Sequence, residues 1–388
     1  MTTTPATDAP GRYLLRPARA DDLGALERLA SASAIGITSL RTELAGQLER
    51  STQSFASAAD DASGEEHYLF VLEDLGAGGR LIGTAGIAAS AGFNDRFYSY
   101  RNEFIVQASA ALGARNRIHT LHLCHDLTGV TLLTGFHIDA AYADTLAPQL
   151  LSRGRLMFIA GSPQRFAPRI AAENPGLADD AGQCPFWDAV GRRFFDMDYP
   201  QAERRSGGRS PKAWIAELMP QSPLYVPLLP EQAQWALGQL HPVGELPFQI
   251  LMDEGFDGDT YLNIFDGGPT AEGRVQMLKT VARRRTCTAR SGPAACDGTG
   301  ASARVTEPWH LLSAGDGEEF RATVLSMRDE PQFDAATAAA LNWRPGMSVH
   351  VARLDAVGGE PDVEASPLPR LPDAPEGGEA QRPVWGRP

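Results

Sequence analysis

The segment 120–160, TLHLCHDLTGVTLLTGFHIDAAYADTLAPQLLSRGRLMFIA, most constrains the fold, because two strand-like runs flank a tight turn and lead into a helix. The first run alternates, with Leu121 and Leu123 on one face and His122 and Cys124 on the other. Residues 126–129, Asp-Leu-Thr-Gly, supply turn chemistry, and 132–138 resumes extended structure. Downstream, Asp144 suits a helix cap, and Pro148 requires a place in the first turn. Gly154 ends that helix or begins the next element, and the apolar run 156–160 fits a buried strand or a helix equally well.

Upstream, Tyr13 to Arg16 reads as a strand stopped by Pro17. Asp21 and Asp22 then precede an amphipathic spacing at Leu23, Leu26, Leu29 and Ala30. A second helix is expected over 42–56. Strands at 68–73 and 81–87 flank a glycine-rich turn and predict a hairpin. Extended pieces follow at 97–101 and 103–109. One strand, two helices and then consecutive strands indicate an α+β layer with a mostly antiparallel sheet. Further along, 213–219 fits helix or strand, 231–240 and 247–254 read as helices, and 261–265 reads as a strand. The expected organisation is a tail over 1–11, a main domain over 12–270, a small β-rich subdomain over 271–357 and a Pro/Gly/Glu-rich disordered tail over 358–388.

Composition excludes several function classes. The formal net charge of −13 argues against general affinity for nucleic acid or anionic membrane. No apolar run approaches the roughly 20 residues that span a bilayer, and the N-terminal residues lack the apolar core of a signal peptide, so a cytoplasmic protein is expected. Cys124, Cys184, Cys287 and Cys296 form no CxxC pair, which indicates reduced thiols and no zinc site. The motifs of serine hydrolases, P-loop nucleotide hydrolases and dinucleotide-dependent dehydrogenases are all missing.

His119, His122, His125 and His137 invite a metal reading. On an extended strand, however, His119 and His125 lie roughly 20 Å apart while His122 faces the other way, so no metal site is expected. His241, in Gly-Gln-Leu-His-Pro, ends a helix where proline forbids continuation, and either capping or proton transfer suits it. Asp266-Gly267-Gly268 reads as a sharp turn or an anion-binding backbone nest.

Read together, the ordered motifs GITSL, YLFVLED, LCHDLTG, RGRLMF, PFWDAVGRRFFDMDY, AELMP, GQLHP, EGFD and IFDGGPT resemble the bacterial arginine N-succinyltransferases. The likeness runs over 14–270 and more weakly to 354. It implies the acyl-CoA N-acyltransferase (GNAT-like) fold with an extra C-terminal β subdomain. It also implies transfer of succinyl from succinyl-CoA to the α-amino group of L-arginine in arginine catabolism, with no tightly bound cofactor. His241 matches the family's proton donor, and Phe136 stands at its succinyl-CoA contact, with Gly135 and His137 beside it. Asp126, Glu103 and Asp266 are candidate partners for a cationic side chain. Single-subunit relatives carry a glycine-rich pyrophosphate loop, whereas no glycine occurs between Gly135 and Gly154 here. Together with LCHDLTG, this resembles the α-type chain of the two-subunit enzymes that accept arginine and ornithine, and so implies a β-type partner. The competing reading is a degenerate acyltransferase serving as a structural or regulatory subunit of an active paralogue.

Overall fold

Apolar alternation and turn residues account for most of the strands in the computed structural model, which describes residues 8–32, 44–58, 62–179, 181–206, 218–292, 307–328 and 330–355. The chain begins with β1 (Tyr13–Pro17), α1 (Leu23–Ala32) and α2 (Leu44–Ala56). The expected hairpin follows as β2 (His67–Asp74) and β3 (Arg80–Ala88), joined by a turn in which the Asp74 side chain accepts the Gly76 N–H. Next come β4 (Ser99–Ser109), β5 (Ala114–Cys124), β6 (Thr131–Ile138), α3 (Ala147–Gly161) and β7 (Arg169–Glu173). Short helices α4 (Pro185–Ala189), α5 (Gly191–Phe195) and α6 (Tyr199–Ser206) lead to β8 (Leu224–Tyr225) and α7 (Glu231–Ala236). Then follow α8 (Pro242–Glu254), β9 (Asp257–Leu262), β10 (Pro269–Arg274), α9 (Lys279–Ala282), β11 (Arg285–Thr288) and β12 (Arg290–Ser291). The described C-terminal elements are β13 (Trp309–Ala314), β14 (Arg321–Ser326), β15 (Gln332–Phe333), α10 (Ala335–Ala340) and β16 (Ser348–Arg353). The expectations for 36–40, 213–217, 297–300 and 358–388 fall outside the described residues.

Fourteen strands form one sheet in the order β11-β16-β13-β14-β1-β2-β3-β6-β7-β10-β9-β4-β5-β8. Within it only β6 and β7 pair in parallel, so the architecture is α+β with a mostly antiparallel sheet. The expected boundary at 270/271 lies inside β10, and the later strands continue the sheet through Leu15↔Ala322. The two runs that frame residues 126–129 are both strands, yet they do not pair with each other. β5 pairs with β4 and β8, while β6 lies between β3 and β7. The turn therefore moves the chain from one part of the sheet to another.

Helix α3 crosses between the parallel strands and lies deep in the molecule. Its Leu150, Leu151, Leu156 and Phe158 join the largest apolar cluster, where Phe158 meets Phe55, Tyr68, Phe70 and Phe320 at 5.1–5.4 Å between ring centroids. Edge-on packing of this kind adds to the apolar burial that holds the helix on the sheet.

The open choice at 156–160 resolves as helix, and Gly154 sits within α3 against Leu15 without ending it. Asp144 is not the cap. Thr145 Oγ1 accepts the Ala147 N–H at 3.1 Å and Asp8 accepts the Leu146 N–H at 3.0 Å, while Pro148 lies in the first turn as it must. The pieces at 97–101 and 103–109 belong mainly to one strand, β4. Helix α7 stops at Ala236, four residues before its expected end, and β9 starts and ends before the expected 261–265. Among the described residues, no helix is long and apolar enough to cross a membrane.

Candidate active site

The parallel pair supplies the opening. β6 and β7 register through Thr131↔Ile170, Leu132↔Ala171 and Leu133↔Ala172, after which β7 ends at Glu173. β6 runs on to Ile138 against β3 alone, through Gly86↔Thr134, Thr84↔His137 and Gly83↔Ile138. The register shifts between Thr84 and Gly86, and Gly135 takes φ +58° at the bulge, a left-handed conformation that costs a residue with a Cβ about 1 kcal/mol or more. Beyond Leu133 the β7-facing edge of β6 therefore has no neighbouring strand among the described residues, and an extended ligand arm could pair with it as an added strand would.

Phe136 and His137 lie on this half of β6. Phe136 is partly buried against the main core. Burial lowers the His137 pKa, and the charge of Asp139 opposes that shift. Asp139 itself accepts the Ala141 N–H at 3.1 Å and pairs with Arg80 at 2.9 Å.

His241 reaches the same end of the pair by another route. Its N–H donates to Pro175 O at 2.9 Å, and the bridge Gly176↔Leu240 ties the two segments just beyond the end of β7. The sequence placed this imidazole at the end of a helix, but it caps the start of α8, where Nδ1 accepts the Val243 N–H at 3.3 Å. Because α7 has already ended and Pro242 occupies the first helical position, residue 241 is an N-cap. With Nδ1 accepting, the neutral ring carries its proton on Nε2.

The turn 263–268 fixes this arrangement. Asp266 is 5% exposed, and its carboxylate accepts the N–H groups of Gly176 and Gly268, each at 2.9 Å. Asn174 Nδ2 donates to Ala172 O and Pro269 O, and Asn263 Nδ2 donates to Glu173 Oε1 at 2.9 Å. The segments approach so closely that a Cβ on Gly268 would lie 2.4 Å from Asn174 O and from Gly176 N. Gly267 N–H is taken by Asn263 O and Gly268 N–H by Asp266, so the Asp-Gly-Gly segment acts as a sharp turn.

Gly135, Phe136 and His137 thus lie on the part of β6 that continues past its pairing with β7, and His241 is tied to the segment just beyond the end of β7. Asp126 lies elsewhere. Its carbonyl accepts from Arg169, the first residue of β7, and its carboxylate accepts from Arg101 at 3.0 Å and from Tyr261 at 3.4 Å. A five-residue strand rises about 16 Å, so Asp126 sits at the opposite end of the pair. Glu103 is engaged by Arg101 at 2.6 Å and faces His122 at 3.6 Å.

The histidines of β5 also have protein partners. His119 contacts Asn102 and stacks on Phe104, and His122 contacts Thr120 Oγ1 at 3.2 Å; His125, just past β5, meets the Tyr98 ring edge-on. Among the described residues no group of His, Cys, Asp and Glu is arranged to hold a metal ion. Sequence reasoning missed the clamp made by Asn174 and Asp266. The Asp-Gly-Gly triplet read as a turn, but nothing marked its interlocking with Asn174-Pro175-Gly176.

Residues 13–280 match the family model described as arginine N-succinyltransferase beta subunit. The arginine N-succinyltransferase subunit alpha of Pseudomonas aeruginosa is 43% identical over 351 residues, covering 89% of this chain and 96% of the relative. The arginine N-succinyltransferase of Salmonella arizonae is 35% identical over 349 residues, covering 88% and 97%. Among solved structures, arginine/ornithine succinyltransferase subunit AI from Pseudomonas aeruginosa superimposes with a TM-score of 0.75 at 40% identity, covering 88% of this chain and 98% of that one. The chain belongs to the arginine N-succinyltransferase family, a family of acyltransferases.

Proposed function

We propose that this chain transfers the succinyl group of succinyl-CoA to the α-amino group of L-arginine on a GNAT-like framework, with His241 as the proton donor. The observation that carries the reading is that β6 runs past the end of its parallel pairing with β7, while His241 is tied to Pro175 and Gly176 just beyond the end of β7. Ligands of α/β units commonly bind at such strand ends. Backbone groups of Gly135, Phe136 and His137 would pair with the pantetheine arm, and Phe136 would pack beside the acyl group. The neutral amine attacks the thioester carbon, the C–N bond forms and the carbonyl becomes an oxyanion. When the tetrahedral intermediate collapses, the C–S bond breaks and the CoA thiolate takes the Nε2 proton of His241 in its imidazolium form, which returns the ring to the neutral state, while the amine proton leaves to water.

Ornithine as a second amine, a β-type partner chain and a cytoplasmic setting belong to the same reading. Asp126, Glu103 and Asp266 have protein partners, so they are not the favoured holders of the guanidinium. The test is CoA-thiol release from arginine and succinyl-CoA, by this chain alone and with a β-type paralogue. His241→Ala should remove most of the turnover while leaving the melting temperature within a few degrees. Near-normal turnover in a folded variant would remove His241 from the mechanism.

One observation favours the alternative of a structural or regulatory subunit. The first N–H groups at the start of α3, where a pyrophosphate would dock, are already taken by Asp8 and Thr145. Calorimetric titration with CoA separates the readings. Micromolar binding by the isolated chain argues for an active site of its own, and binding only in the presence of the paralogue argues for the subunit role.

A further inference from the structure

Arg155 stands out as a buried cation with no carboxylate partner among the described residues. It is 3% exposed, and its hydrogen bonds go to neutral acceptors alone: Nε to Ser152 O, Nη2 to Ser152 Oγ, and Nη1 to both Gly86 O at 3.2 Å and Thr134 O at 3.4 Å. Burial pushes its pKa down to about 9, so it stays charged at neutral pH in a site that solvates it poorly. An uncompensated buried charge is a costly way to fill core volume, and an apolar side chain of similar size would do so at less cost.

Its location offers a use for that charge. Nη1 bridges carbonyls of β3 and β6 where the register shifts, and the guanidinium lies 5.9 Å from the Phe136 ring. Since Gly86 belongs to β3, the shared contact places the Thr134 carbonyl on the β3 edge of β6. Across the trans peptide the Gly135 N–H points the opposite way, towards the edge where pairing with β7 has stopped at Leu133. A cation on the carbonyl of a peptide unit strengthens its dipole and makes its N–H a better donor.

Resting on the acyl-transfer reading above, we propose that Arg155 is a positioning residue that polarises the Thr134–Gly135 peptide. The Gly135 N–H can then hold the oxyanion that forms on the thioester carbonyl. Arg155 touches no reacting atom in this role. It acts through one peptide unit.

The test is the infrared carbonyl frequency of succinyl-CoA, carbon-13 labelled at the thioester, bound to the protein without amine. Steady-state kinetics are measured in parallel, with the β-type paralogue present. The unmodified protein should lower the frequency relative to free succinyl-CoA. Arg155→Met should abolish most of that shift and cut kcat about 10- to 100-fold, with KM for succinyl-CoA changed less than about threefold. Arg155→Lys, which keeps a cation, should recover part of both. Should Arg155→Met fail to fold, Arg155→Gln carries the same test, because it keeps a donor for Thr134 O but no charge. A folded neutral variant with the normal frequency and normal kcat would overturn the role. Absence of any transfer by the unmodified protein would instead overturn the acyl-transfer reading and, with it, this inference.

Discussion

Replacing Asp266 tests whether the clamp at the end of β7 is what places His241. Its carboxylate accepts two buried N–H groups at 2.9 Å, from Gly176 and Gly268. Asp266→Ala leaves both donors without that acceptor, and about 1–3 kcal/mol for each gives a loss of roughly 4 kcal/mol. Asp266→Asn keeps one accepting oxygen but turns an amide NH₂ towards the other donor, so about half of that loss is expected. Domains smaller than this one lose about 2–4 °C of melting temperature per kcal/mol and the shift shrinks with chain length, so Asp266→Ala should melt about 6 °C lower. Below the transition, kcat should fall because Pro175 O, the acceptor of the His241 N–H, is no longer held in place. Thermal melting and steady-state kinetics on the same samples separate this role from direct substrate contact. A melting temperature within 1 °C of normal combined with a large rise in KM for arginine would refute the clamp and return Asp266 to the guanidinium site.

Other perturbations probe the scaffold. Glu254, 2% exposed, pairs with Arg153 at 2.6 Å and accepts from Thr280 N–H and Oγ1–H at 2.8 Å each, so Glu254→Ala should cost about 3–5 kcal/mol in urea unfolding. The double change Arg153→Met with Glu254→Leu should cost less than Glu254→Ala alone, since no charge is left stranded. Burial works to raise the Asp74 pKa, but hydrogen bonds from Arg12 and Tyr142 outweigh it and hold the pKa below the usual carboxylate range. A depressed folded pKa means that the contribution is complete above about pH 4 and is lost as pH falls through the folded value. Asp74→Asn should accordingly flatten the acid limb of a melting-temperature profile. Gly135→Ala has open space for its methyl group, so its cost should be the left-handed conformation alone, about 1 kcal/mol by urea unfolding.

Local sequence patterns located most of the strands because alternation and turn residues act over a few positions. Tyr13 to Pro17, the hairpin at 67–88 and the strand 131–138 were all readable in this way. Periodicity failed in α3 for a physical reason. Thirteen of its residues are buried, including Gln149, Arg153 and Arg155, so the polar stripe that marks a surface helix is replaced by buried polar groups with protein partners or packing of their own.

The site follows the same division. His241 and Phe136 were visible through family motifs, yet nothing local to either shows that both lie beyond the paired part of β6 and β7. That arrangement depends on β6 leaving its hairpin-like neighbour β5 to pair with β7 some 40 residues away, and on the 174–176 segment interlocking with 263–268. Asp126 shows the converse. It looked close to the β6 residues because only five positions separate it from Thr131, but a strand carries its two ends apart, and the ion pair with Arg101 fixes it at the far end. Proximity in sequence along a strand therefore argues against a shared site, whereas remote segments that end at the same sheet edge can build one.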